Sequence, residues 1–322
     1  YTVKNSEYVR KRSVTHLLEE IKQVKAKYNL KFVHFVDDIF NLRNDWLDEF
    51  CERYPKEVGL PFDVILMANM TTEHHIEQLA KAGCVYARIA FEAASDYVRN
   101  AVFRKHTTRQ QLVDASAWIK KHGIRLGTLN MLGGPGGTME DEYDTLRLNI
   151  ECTVDHPLVS IMQPYPQFDI EDMTRQMGYA ISAYDEFPDN FRRTSSILYD
   201  NKREIENLHK LFPIAVRFPW IMPIVPRLVR IKWMAKPYLI MYMLWSEYLV
   251  AEQAKLYARA TGLRSVRYWA PIDFMIRLST KGVMRVVDTI MIKTFKRFMA
   301  PKRQALALSL QMGDERVIAH MD

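Results

Sequence analysis

The stretch Ile124-Arg-Leu-Gly-Thr-Leu-Asn-Met-Leu-Gly-Gly-Pro-Gly-Gly137 sets an apolar run against a glycine-rich turn. Such a run, closed by glycines, predicts a strand over 124–132 that is covered on both faces. Thr138 follows, and Asp141 three residues on resembles a capping box, which opens a helix near 138–152. The same step from helix to strand repeats on both sides. A helix near 108–122 leads into 124–132, one near 72–82 into Val85–Phe91, and one near 44–54 into Phe62–Ala68. Ser13 caps a helix that runs to about Tyr28, with Leu17, Leu18, Ile21 and Val24 on one face, ahead of Lys31–Val36. After 138–152 comes Leu158–Gln163. Five almost unbroken apolar strands alternating with helices predict an α/β fold with one parallel sheet under a helical layer.

Composition agrees with a packed protein: 48% of the 322 residues are apolar, enough for one large domain or two smaller ones. Charge divides the chain. Residues 1–200 carry 24 Lys/Arg against 29 Asp/Glu, and 201–322 carry 21 against 9, so a net −5 is followed by +12. The expected division is therefore 1–200 and 201–322. Cys51, Cys84 and Cys152 lie far apart and form no C-x-x-C pair, which reads as buried free thiols of a reducing cytoplasm. His74 and His75 are adjacent, a poor spacing for chelation on a helix, and no metal site is predicted.

In parallel α/β folds the reactive residues gather where strands end. Here those ends carry Asp37 and Asp38, then Asn69, then Glu92, then Asn130 with Gly133-Gly-Pro-Gly-Gly137, and finally Gln163-Pro-Tyr-Pro166. Each has a plainer reading. The aspartates can cap the next helix, and the glycines can supply positive φ before one. The glycine turn is neither a P-loop nor a dinucleotide fingerprint, since the Lys-Ser/Thr pair and the spaced glycines are absent. Glu92 is the sharpest of the set, because a carboxylate at the mouth of a buried strand needs a cationic or hydroxyl partner such as a ligand ammonium or ribose.

Phe35-Val-Asp-Asp-Ile-Phe40, Ala68-Asn69, Leu79-Ala-Lys-Ala-Gly-Cys84, Ile89-Ala-Phe-Glu-Ala-Ala-Ser95 with Arg99, Asn130-Met-Leu-Gly-Gly-Pro-Gly-Gly-Thr138 and Gln163-Pro-Tyr-Pro166 stand in the order seen in radical S-adenosylmethionine (SAM) enzymes. Over residues 8–180 the chain resembles that superfamily, and most of all its branch with an N-terminal cobalamin (B12)-binding domain. The resemblance implies strands 2–6 of a partial (β/α)6 TIM-like barrel that binds SAM across its strand ends, followed by a mainly helical C-terminal region. It places Asp37 and Asp38 near the methionine amino group, and Glu92 near the ribose or amino group. Gly134, Pro135 and Gly136 fall beside the adenosine, and Tyr165 and Pro166 flank the adenine or the substrate. Asn69 and Asn130 join them as cofactor-binding candidates. Three motifs depart from the family: Gly-Ile-Glu-Ser reads Ala90-Phe-Glu-Ala93, Gly-Glu-Thr reads Gly136-Gly-Thr138, and Pro-Gly-Thr reads Pro166-Gln-Phe168.

The family also holds a 4Fe-4S cluster on a C-x3-C-x2-C loop, whose thiolates suit iron. No such loop occurs in this sequence. Tyr1–Ser13 resembles the stretch just after it, so the expectation is a piece of a longer parent, inactive by itself. The parent would cleave SAM reductively at the cluster for radical chemistry, extending to methyl transfer or rearrangement if cobalamin is bound. The competing expectation is a degenerate barrel that binds or scaffolds at a membrane surface.

The second half is read separately. Leu211–Pro223 is proline-broken, aromatic and methionine-rich, and the apolar run Tyr238–Trp245 is too short to cross a bilayer, which takes about 20 residues. Near 272–299 a basic stretch with Arg277, Lys281 and Arg285 four apart resembles helices that lie on anionic membranes, or else a solvated face of a helical subdomain. The expected partners are a small-molecule or lipid-like substrate and a peripheral contact with the inner face of the membrane. No nucleic acid is expected, for want of a module that reads it.

Overall fold

The computed structural model describes residues 12–187 and 194–262. Helix α1 (Val14–Tyr28) begins where Ser13 accepts the His16 N–H at 3.2 Å, and buries Val14, Leu18 and Ile21. It is followed by β1 (Val33–His34), α2 (Asn44–Glu57), β2 (Phe62–Leu66), α3 (Glu73–Ala82) and β3 (Cys84–Glu92). A π-helical turn (Tyr97–Val102) precedes α4 (Arg109–Lys121), β4 (Arg125–Leu132), α5 (Met139–Glu151) and β5 (His156–Ile161). All four neighbouring strand pairs are parallel and the sheet order is β1-β2-β3-β4-β5. Consecutive parallel strands joined by helices make this a partial TIM-like barrel.

β5 runs two residues ahead of the expected Leu158–Gln163, and β1 and β2 differ from their expected ranges for local reasons. The edge strand β1 is shorter than Lys31–Val36 because only Val33 and His34 are in register with β2; Phe35 N–H still reaches the Asp63 carbonyl at 3.2 Å. β2 stops at Leu66 rather than Ala68. There the buried amide of Asn41 clasps the backbone of Met67, accepting its N–H at 3.0 Å and donating to its C=O at 3.2 Å, and 68–70 tighten into a turn.

The core lies between the sheet and its helices. Phe35, Phe40, Phe50, Tyr54 and Phe62 pack with ring centroids 4.8–6.4 Å apart, and Trp46 stacks on Phe50 at 5.4 Å. The core does not stop at residue 200. α7 (Lys202–Arg217) lays Leu208, Leu211, Phe212 and Ala215 into the same buried cluster as the strands, and Asn207 and His209 bond the backbone of Val229 and Val159. The expected boundary thus falls just before the helix that covers β5.

After α7 come proline-broken turns, the short α8 (Val225–Leu228) and the long α9 (Ala235–Thr261). Between β5 and α7 lies α6 (Asp169–Gln176). No helix among the described residues is long and apolar enough to cross a membrane. The basic stretch expected near 272–299 lies outside the described residues.

The opposite face of the sheet carries a polar group low on its strands. Asp63 is fully buried there and accepts from Tyr257 of α9 at 2.7 Å and from His34, with the Arg88 guanidinium 3.5 Å away. Gly127 is required opposite them, because a Cβ at that position would lie 2.1 Å from the Tyr86 hydroxyl.

Candidate cofactor-binding site

A parallel sheet points every strand's carboxyl end to one edge, so residues 37–38, 69, 92, 130–137 and 163–166 follow one another along it. Asp37 and Asp38 stand exposed in the turn after β1. They do not cap α2, whose N-cap is Arg43.

The ends of β2 and β3 meet on one loop. Asn69 donates to the His106 carbonyl at 3.1 Å, while its Oδ1 is buried without a hydrogen-bond partner. Glu92 is 9% exposed, and Lys105 makes an ion pair with it at 2.8 Å. The register shifts between Ala90 and Glu92, and Glu92 takes φ 57°, a conformation that side-chain-bearing residues seldom adopt and that concentrates at functional sites. Arg104 and His106 also have positive φ, at 53° and 50°, which turns the intervening Lys105 toward the strand end.

Arg99 fixes the segment that follows. Its side chain is fully buried and donates to the carbonyls of Ala93 at 2.8 Å, Ala94 at 2.9 Å and Thr107 at 2.7 Å, and it pairs with Asp96. The guanidinium fork thereby ties both ends of the 93–107 segment together.

The glycine turn after β4 is held from beneath. Glu142 of α5 accepts the Gly133 N–H at 2.7 Å, and the Tyr199 hydroxyl donates to the Gly133 carbonyl. Burial pushes the Glu142 carboxyl up to about 8, with the Gly133 N–H pulling the other way and Asp141 adding to the rise. Thr138 and Asp141 form the capping box in both directions. The space left by the missing side chains is filled by the protein itself. A Cβ on Gly134 would meet Val98 at 2.6 Å, and one on Gly136 would meet Tyr97 at 3.0 Å, so these glycines admit the π-helical turn. Pro135 is buried between them.

Asn130 belongs to a different arrangement. Its amide bonds Thr128 at 3.0 Å, the Leu158 carbonyl at 3.1 Å and Asn149 of α5 at 2.7 Å, joining β4 to the helical layer. After β5, Gln163 accepts the Ser196 N–H at 2.9 Å, while Tyr165 is half exposed and its ring lies 6.2 Å from Phe187; Pro166 is partly buried beside it.

The edge has groups suited to a SAM molecule: a buried orphan acceptor on Asn69 and the Glu92 carboxylate, both against the 103–108 loop. A 4Fe-4S cluster does not fit the described residues. Cys51, Cys84 and Cys152 are buried singly, and burial pushes their thiols up, Cys51 to about 12 and Cys152 to about 11, whereas iron takes thiolates. No group of three His, Cys, Asp or Glu among the described residues comes together as a metal site.

Residues 1–148 match the model of the radical SAM superfamily. An uncharacterized methyltransferase of Pyrococcus horikoshii is 29% identical over 174 residues, which cover 53% of this chain and 36% of that protein. The fold extends further than the sequence match. The cobalamin-dependent SAM radical enzyme OxsB superposes with TM-score 0.52 at 15% identity, over 92% of this chain and 47% of OxsB. Its form with aqua-cobalamin and SAM bound superposes with TM-score 0.50 at 13% identity, over 89% of this chain and 52% of that one. The chain spans about a third of the methyltransferase and about half of OxsB.

Lys105, Glu142 and Tyr199 are not singled out by the sequence pattern. Lys105 sits in the polar run Arg104-Lys-His-Thr-Thr108, where no periodicity ties it to Glu92. Glu142 looks like any acid in a helix's first turn, and only its burial distinguishes it.

Proposed function

We propose that this barrel binds SAM along the carboxyl edge of its sheet, as part of a longer enzyme that carries out radical SAM methyl transfer with cobalamin. The observation that carries the reading is the pairing of a radical SAM domain with the Asn69, Glu92 and Lys105 cluster on that edge. The methyltransferase name of the Pyrococcus relative and the cobalamin dependence of OxsB support the choice of reaction. When bound, SAM supplies a sulfonium that is open to one-electron reductive cleavage or to methyl donation.

In this reading the chain's own residues bind and orient. Glu92 accepts hydrogen bonds from the ribose hydroxyls or the amino group, and the orphan Oδ1 of Asn69 accepts one more. Lys105 holds the Glu92 carboxylate in place between turnovers. The glycine turn, gripped by Glu142 and Tyr199, offers a rigid wall to the adenosine, and Tyr165 closes the side toward the substrate. Asp37 and Asp38, exposed and near the same edge, take the methionine amino group.

Isothermal calorimetry of SAM and S-adenosylhomocysteine with the full-length protein tests the site. Glu92→Gln is expected to weaken binding by about 10–100-fold, the loss of a charge-assisted hydrogen bond worth about 1.5–3 kcal/mol. Unchanged affinity would remove Glu92 from the cofactor site, and absence of any SAM binding by the wild type would refute the reading altogether.

A further inference from the structure

The segment 217–236 has a composition unlike the rest of the chain. It holds five cations, Arg217, Arg227, Arg230, Lys232 and Lys236, and no carboxylate. It also holds Trp220 and Trp233, which are 76% and 75% exposed. Exposed tryptophan is costly in water unless something receives the indole, and one indole placed this way would not ask for an explanation, but two do.

The packing explains why they face outward. Val225 and Val229 are fully buried, the Leu228 carbonyl accepts from Tyr238 of α9 at 3.0 Å, and the Val229 carbonyl accepts from Asn207 of α7 at 2.8 Å. One side of the segment is thus anchored to the helical layer, which leaves Trp220, Ile224, Arg227, Lys232, Trp233 and Lys236 exposed. Arg230 remains exposed too, with a long ion pair to Glu204 at 3.5 Å.

The apolar surface continues onto α9. Phe218 lies 5.7 Å from the Trp245 ring, and Trp245 lies 4.9 Å from Tyr248. Ile240, Leu244 and Tyr248, spaced four apart, form an exposed stripe on that helix, while the one carboxylate in this stretch, Glu247, is buried. Indoles and aliphatic side chains set among cations, with carboxylates turned away, match the boundary of an anionic bilayer: the rings sit at headgroup depth and the cations meet phosphates. A protein partner of ordinary mixed charge offers no such complement.

We infer that residues 217–236 and the exposed stripe of α9 form a surface that docks on an anionic membrane, with Trp220 and Trp233 inserting and Arg227, Lys232 and Lys236 holding the lipid phosphates. This surface shares no residue with the carboxyl-edge site, and the inference stands whether or not that edge binds SAM.

The test is cosedimentation of the full chain with vesicles of phosphatidylcholine alone and of phosphatidylcholine with phosphatidylglycerol, at low and high salt. The wild type is expected to partition to the anionic vesicles and to leave them as salt rises, since screening shortens the reach of exposed charges. Trp220→Ser with Trp233→Ser should lower partitioning at least about tenfold, and Arg227→Gln, Lys232→Gln and Lys236→Gln about fivefold for each cation removed. Because a variant can lose its fold, a second measurement uses the wild type: tryptophan emission should be quenched by lipids brominated near the headgroup end of the acyl chain. Equal binding to both vesicle types, equal partitioning of wild type and variants, or no quenching would overturn the inference. So would sedimentation analysis in which the tryptophan substitutions turn a dimer into a monomer, for the face would then join two copies of this chain.

Discussion

Glu142 illustrates how one buried carboxyl can govern the loop above it. Its ordinary value is 4.5, and burial raises it to about 8 in the folded protein. Between those values the folded state keeps the proton and the unfolded chain has lost it, so stability should fall as pH rises through that window and level off above about 8. Glu142→Gln keeps an acceptor for the Gly133 N–H and cannot ionise. Thermal denaturation from about pH 5 to about pH 9 should show the variant level with the wild type at the acid end and increasingly more stable toward the alkaline end. A constant gap across the range would mean that the carboxyl is charged throughout.

The glycine turn and the π-helical turn 97–102 form one fitted pair. With Val98 only 2.6 Å and Phe103 3.0 Å from the place of a Cβ on Gly134, Gly134→Ala must push the π-helical turn away. Overpacking of this kind costs about 1–3 kcal/mol, and the displacement would reach Arg99 and the loop that carries Lys105. Adding Val98→Ala removes the closer of these two contacts, leaving Phe103 at 3.0 Å. In a double-mutant cycle read by thermal melting and by SAM calorimetry, the second substitution should restore most of what the first loses. Additive losses would show that Gly134 is needed for its backbone freedom instead, although its φ, unlike those of Gly133 and Gly136, is not in the left-handed region.

Across the whole molecule, α9 closes a long circuit. It leaves the helical layer beside α7, where Tyr242 lies 5.1 Å from His209, and returns Tyr257 to the sheet, where its ring sits 4.4 Å from Phe32 and its hydroxyl on the buried Asp63. Burial and the adjacent Asp63 keep the Tyr257 phenol protonated, as a donor must be. Tyr257→Phe leaves that carboxylate short of one hydrogen bond and should cost about 1–3 kcal/mol in chemical denaturation. Hydrogen exchange should locate the loss in β1 and β2 as well as in α9. If protection changes in α9 alone, the contact is not part of the cooperative unit.

The helix and strand ranges were legible from 12 to about 162 because apolar period and local capping chemistry are short-range signals: Ser13, Thr138 with Asp141, and the run ending at Leu132 each carry their meaning within four or five residues. The shared carboxyl edge of Asn69 and Glu92 followed from the parallel sheet. What the sequence did not reveal depends on contacts between distant residues and on backbone angles that neighbours alone do not dictate. Lys105 reaches Glu92 through positive φ at two side-chain-bearing residues, and Asn130 turns to Asn149 because strand alternation faces it toward α5. The charge boundary at residue 200 carried no information about the core, since Leu208, Leu211 and Phe212 are buried by the strands whatever sign surrounds them. Amphipathic period fixes where an element begins and ends; only tertiary packing decides which of its polar groups are stripped of water, and those are the groups whose chemistry is altered.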